Sequence, residues 1–238
     1  VIPLSPSLDT IGILVSDVAG AILASSALLD GWGKRTVDRH PSVGVPLGTY
    51  LGLANPEAAG AFQRARARLQ AAGWTIRPIE LLADFEAVRR RHETILTAEA
   101  ERVHRIWFQR YADLYHPKTA ELIRRGMTIP DEELAAALAE RDVWTRNLTG
   151  VMDGEGIDVW ISPSTTSAAP HGLDSTGDPV MNLPWTQAGL PTITVPCGRA
   201  SSGLPLGLQV AGRQGEDEQL LEFAKAIEAL MVGQEQRT

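Results

Sequence analysis

The side chains able to do chemistry are few and scattered. Five histidines, His40, His92, His104, His116 and His171, match neither HxxxH nor HExxH spacing, and only Cys197 is available to join them. Neither spacing nor ligand count supports a metal centre. Cys197 with His171 would make a thiol nucleophile and its base. Cys197 directly follows the apolar run TITVP, however, where a small, weakly polar side chain packs well, and a structural role is preferred. Hydroxyls gather at Ser162, Ser164, Thr165, Thr166 and Ser167 behind the β-rich run IDVWIS. Loops at strand carboxyl ends are where open α/β sheets place ligands, and turn formation accounts for the same composition equally well. No base is positioned beside these serines, so none is nominated as a nucleophile. Trp185, Thr186 and Gln187 sit between Pro184 and Gly189, which predict an irregular backbone, with Asn182 just upstream. An indole offers a flat apolar wall and a primary amide both donor and acceptor, which suits a polar head on an apolar body. Trp185 serves nearly as well as core filler. No GxSxG elbow, GxGxxG fingerprint or phosphate-binding loop occurs, which removes the local anchors for those chemistries.

The whole chain sets the bounds on these candidates. Its 238 residues suffice for one large domain or two small ones. A net charge of −7 repels polyanions, so neither nucleic acid nor an anionic membrane is expected as a partner. The basic run RRRH at Arg89 to His92 stands among Glu86, Glu93 and Glu99 and reads as a solvated helix face. A lone cysteine excludes an intrachain disulfide and fits a reducing, cytoplasmic compartment. The longest apolar runs fall short of the ~20 residues of a membrane-spanning helix. The opening VIPLSPSLDT reads like the middle of a protein, so the lack of a signal peptide carries no information.

The elements that must position the candidates follow from periodicity and punctuation. Asp17 to Leu29 predicts a buried helix stopped by Gly31 and Gly33. The segment with Pro41, Pro46 and Gly48 predicts a loop. Asn55 as N-cap and Pro56 at the first helical position open a helix carried by Ala58, Phe62, Ala65, Leu69 and Ala72 to Gly73. Trp74 to Ile79 alternates like a strand. Leu81 to Arg125 predicts two long helices broken at Pro117 and stopped by Gly126. Another helix opens at Thr128 to Asp131 and ends near Gly154. Ile157 to Ser162, Thr192 to Val195 and Leu208 to Val210 predict strands. After Gly215, acidic Glu216, Asp217 and Glu218 precede a closing helix with a stripe of Leu220, Leu221, Ala224, Ile227 and Leu230. Without repeats or a low-complexity linker, the chain reads as one α/β body: a mixed β-sheet flanked by helices.

Three segments in this order carry a resemblance: SLDTIGILV from Ser7, GIDVWISPSTTSAAP from Gly156, and NLPWTQAGLPTITVPCG from Asn182 with the following GLPLGLQVAGRQGEDEQLLEFAKAIE. Together they resemble the carboxyl-terminal part of the amidase signature family. The resemblance implies hydrolysis of a carboxylic amide by a serine nucleophile, with a lysine and a second serine passing protons and a glycine-rich loop as oxyanion hole. In the family pattern these elements precede SLDT. The expectation is therefore that residues 1–238 are the carboxyl-terminal part of a single amidase domain, incomplete at its N-terminal side, with no catalytic residue of its own. Asn182, Trp185, Thr186 and Gln187 are then the substrate-binding candidates, the partner is a small-molecule amide, a homo-oligomer is allowed, and no cofactor or metal is needed. The sequence departs from the family pattern at Gly12-Ile13, Ser16 and Gly20, where Gly-Pro, an arginine and an aspartate are usual. Thr186 replaces an asparagine common before the AGLP series. The glutaminase subunit of a tRNA-dependent amidotransferase has a more polar segment in place of MNLPWTQ, which favours a stand-alone amidase acting on a less polar amide. The remaining alternative is a non-catalytic fragment or scaffold.

Overall fold

The computed structural model of the protein describes residues 2–33 and 35–232. Its centre is a five-stranded mixed sheet in the order β2-β1-β3-β5-β4, made of β1 (Val43–Gly48), β2 (Ile76–Leu82), β3 (Val159–Pro163), β4 (Thr192–Arg199) and β5 (Pro205–Ala211). β1 runs parallel to β2 and β3, whereas β5 is antiparallel to both β3 and β4. Helices α1 (Val18–Leu28), α2 (Pro56–Ala71) and α7 (Asp217–Val232) lie on one face. The other face carries α5 (Asp131–Glu155) and α6 (Leu183–Ala188), together with the start of α3 (Phe85–Tyr111); α4 (Pro117–Gly126) packs along α3. The mixed sheet flanked by helices is the fold expected from the sequence.

Local chemistry explains the element boundaries. Asn55 accepts from Ala58 N at 2.9 Å ahead of Pro56, and Asp17 caps α1 through Gly20 N at 2.7 Å, each satisfying an orphan amide of the first turn. α3 and α4 part around Pro117, and α5 ends on the left-handed Gly156.

Three expectations need correction. VGVPLG is strand β1, in the middle of the sheet, and not a loop. Proline is tolerated because β3 pairs with β1 only at Val43 and Gly44, leaving Pro46 with β2 as its neighbour. α1 is not buried all round: Val18 and Ala21 face the core, whereas Leu23 and Leu28 are largely exposed. The irregular backbone expected around Trp185 is α6, a short helix with Pro184 in its first turn and Gly189 (φ 64°) as its left-handed stop.

Two close approaches fix β1 against its neighbours on either side. A Cβ on Gly44 would lie 2.5 Å from the ring of Trp160, and one on Gly48 (φ 125°) 2.3 Å from Leu82 O. At the amino-terminal end, Ser5 and Ser7 hydroxyls both donate to the Glu99 carboxylate, strapping that segment to α3.

Candidate functional site

α6 divides the four residues singled out from the sequence into two pairs. Trp185 and Gln187 point inward and are almost fully buried. The Trp185 ring stacks against Trp160 (6.2 Å between centroids, 28° between planes) and meets Tyr50 edge-on. Its Nε1–H donates to Tyr50 OH at 3.3 Å, and Tyr50 OH donates to Met181 O at 2.6 Å. Burial pushes the Tyr50 phenol far above its ordinary pKa, so it stays protonated as the hub of this cluster. Gln187 spends its amide on α3, donating to Val88 O and accepting from Arg91 Nε, both at 2.7 Å. Burial lowers the pKa of the Arg91 guanidinium, and nearby Glu140 opposes that shift.

Asn182 and Thr186 face the other way. Both are half-buried and line a cavity of about 820 Å³, within the size range of small-molecule sites. The cavity follows β4, the strand that ends the sheet among the described residues. Its apolar walls come from Ile11, Ile13, Leu28, Leu29, Ile193 and Leu220. Among the described residues that line it, Asp217 is the one ionisable side chain, and none is basic. Burial raises the Asp217 carboxyl above its ordinary pKa.

The sequence reading missed Gln209, which also lines this cavity. In β5, Leu206, Leu208 and Val210 belong to the core on the α2/α7 face, so strand alternation turns Gln209 to the opposite face. There it stands in register between Ser162 of β3 and Thr194 of β4, forming a polar row across three strands. Its Nε2 donates to Asn182 Oδ1 at 2.8 Å. Its Oε1 is buried without a hydrogen-bond partner among the described residues, an arrangement that costs about 1–3 kcal/mol when nothing compensates it. A polar residue at an in-phase position of the alternating LPLGLQV, opposite to Leu206, Leu208 and Val210, was the signal available in the sequence.

The hydroxyl cluster behind β3 borders a second cavity of about 330 Å³, with Thr194, Gly207 and Asp178. Thr165 and Ser167 hydroxyls donate to the carbonyls of Ser167 and Ala168, respectively, as turn residues do. Ser162 Oγ lies 3.0 Å from Tyr50 OH in the core. Ser164 meets Gly207, where a Cβ would sit 2.5 Å from its hydroxyl oxygen. Cys197 is buried among α2/α7-face residues. Among the described residues, no three His, Cys, Asp or Glu side chains come together as a metal-binding group, and no helix is long and apolar enough to cross a membrane.

With this geometry in view, comparison with known proteins gives the class. The amidase family model matches residues 1–221, and the chain belongs to that family. A crystal structure of an amidase superposes with a TM-score of 0.85 at 27% identity, covering 96% of this chain and 54% of that one. Native peptide amidase from Stenotrophomonas maltophilia gives a TM-score of 0.72 at 22% identity, over 97% and 55% of the two chains, and supports the fold alone. A glutamyl-tRNA(Gln) amidotransferase subunit of Rhodospirillum rubrum is 44% identical over 82 residues, 31% of this chain and 16% of that protein. The corresponding subunit of Nostoc sp. is 38% identical over 81 residues, 31% and 17% respectively. The chain thus spans just over half of the solved relatives, and these alignments cover a small part of the curated ones.

Proposed function

We propose that residues 1–238 are the substrate-pocket part of one amidase domain that hydrolyses a carboxylic amide to its acid and ammonia or an amine. In this reading, a serine nucleophile with its second serine and lysine is supplied by sequence that precedes SLDT in the family pattern. Asn182 and Thr186 touch the substrate, while Trp185 and Gln187 hold the wall from behind. The observation that carries the reading is the family match over residues 1–221 together with a largely apolar cavity flanked by the AGLP and GLPLGLQ segments. Hydrolysis needs a nucleophile, a proton relay and oxyanion donors acting as one unit. The 238 residues alone are therefore expected to give no turnover.

The curated relatives raise a second reading, a glutaminase subunit of an amidotransferase. Free glutamine carries a carboxylate that calls for a cationic partner, and the described lining of the cavity has no basic side chain. That favours an amide with an uncharged, apolar body. Both readings are tested by assaying aryl amides, alkyl amides and glutamine, with this chain alone and with a family segment bearing the Ser-Ser-Lys residues joined ahead of it. Turnover of apolar amides only in the joined protein is expected. Turnover by the chain alone would sink the division of labour, and a preference for glutamine would favour the amidotransferase reading.

A further inference from the structure

Gln209 and Asn182 spend one donor and one acceptor on each other across 2.8 Å. What remains is the carbonyl oxygen of Gln209, buried and unpartnered among the described residues, and the NH2 group of half-buried Asn182. Turning both amides over exchanges the roles but again leaves one donor group and one acceptor. That remainder complements a neutral amide, which brings both an N–H and a C=O. It is a poor match for a carboxylate, which brings acceptors alone. The surroundings agree: apolar residues make up most of the lining, its one described ionisable group is the acidic Asp217, and nothing in it would neutralise an anion.

We propose that the Asn182–Gln209 pair is a specificity device that holds the neutral amide group of an apolar substrate and rejects the carboxylate that hydrolysis makes from it. This inference rests on the amidase reading and deepens it. Substrate N–H donates to Gln209 Oε1, and substrate C=O accepts from Asn182 Nδ2. Once the serine has displaced ammonia or the amine from the carbonyl and water has cleaved the resulting acyl ester, the acid loses its proton to solvent. An acceptor then faces the Gln209 carbonyl where a donor stood before. A site built around a buried polar atom rejects a ligand that leaves the atom unpaired more strongly than an apolar wall rejects a change of size. Gln209 is thus a binding residue that favours departure of the acid.

The experiment titrates the 238-residue chain at neutral pH with hexanamide and with hexanoate, which share an alkyl body and differ at the head group. Hexanamide is expected to bind at least about tenfold more tightly, a difference of about 1.4 kcal/mol. Gln209→Met keeps the length of the side chain and removes the acceptor, and it should narrow the preference to within about twofold. Gln209→Glu keeps an acceptor and adds charge, and it should preserve or widen the preference. Where the Met variant gives no cooperative melt, the Glu variant decides. Equal binding of the two ligands, no binding of either, a preference that survives Gln209→Met, or one lost in Gln209→Glu would overturn the proposal. These titrations involve no turnover, so the two readings fail separately. A chain that discriminates amide from acid but never hydrolyses in the joined protein sinks the amidase reading. An active joined protein whose Met variant still prefers the amide sinks this one.

Discussion

The sheet ends differently on its two sides. At the β2 end, Arg77, Pro78 and Glu80 are exposed, and charge and proline on an outer strand discourage pairing with another chain. At the β4 end, Thr192 to Val195 carry no charge, and the neighbouring α1 and the segment before it expose Leu23, Leu28, Ile11 and Leu14. Clustered apolar exposure of this kind marks a contact surface or an aggregation hazard. The large cavity runs along this second end. One end of the sheet is finished for water and the other for contact, and the candidate site lies with the latter.

The comparison can be broken first at the water-facing end, where β1 and β2 meet. Gly48→Ala would force a left-handed backbone on a residue with a side chain and drive its Cβ against Leu82 O. The expected cost is about 3 kcal/mol or more, read by urea denaturation. A midpoint unchanged from the parent would mean that the closure of β2 on β1 is looser than described. At the contact end, Leu28→Glu together with Thr194→Lys should each change stability by no more than about 0.5 kcal/mol, while light scattering of the concentrated protein falls severalfold. Arg77→Val at the other end should raise it. If all three variants scatter alike, the two ends are equivalent after all.

A further, pH-dependent effect concerns the start of the β1–β3 pairing. Asp158 accepts from Ser42 N at 2.7 Å and pairs with Arg39, whose side chain is 59% exposed. Burial works against the Asp158 carboxylate, but the bonds from Arg39 and Ser42 outweigh it, and its pKa is lowered. A depressed carboxylate contributes stability above the ordinary carboxylate range and loses it as pH falls through its folded-state value. Asp158→Asn should therefore cost about 1 kcal/mol near pH 7, after discounting for the exposed arginine. The difference from the parent should vanish toward pH 2. A pH-independent difference would assign the effect to packing.

Much of this architecture could be read in advance, for reasons that differ by residue. Capped helices such as α2 announce themselves because Asn55, Pro56 and a 3.6-residue apolar repeat agree with one another. β1 does not, because two glycines and a proline in VGVPLG mimic a loop, and only the tertiary fact that β3 diverges after Gly44 makes the proline harmless. The fragment around Asn182 was visible through its punctuation. Which of its side chains face the cavity was not, since that depended on recognising a helix of six residues. Gln209 lay in a run read as an ordinary strand, and its partner Asn182 is a spatial neighbour that one sequence does not reveal.

The brief pairing of β1 with β3 also has a kinetic consequence. It joins Val43 to Val159 across everything that α2, β2, α3, α4 and α5 contribute between them. Closing so long a loop costs entropy before any contact repays it, and non-local parallel pairing slows folding. The neighbouring α3 and α4, joined by a short connection, can meet early. Pulse-labelling hydrogen exchange during refolding should therefore protect amides of α3 and α4 before those of β1. The last event would be the docking of Trp160 over Gly44, visible as a late change in indole fluorescence.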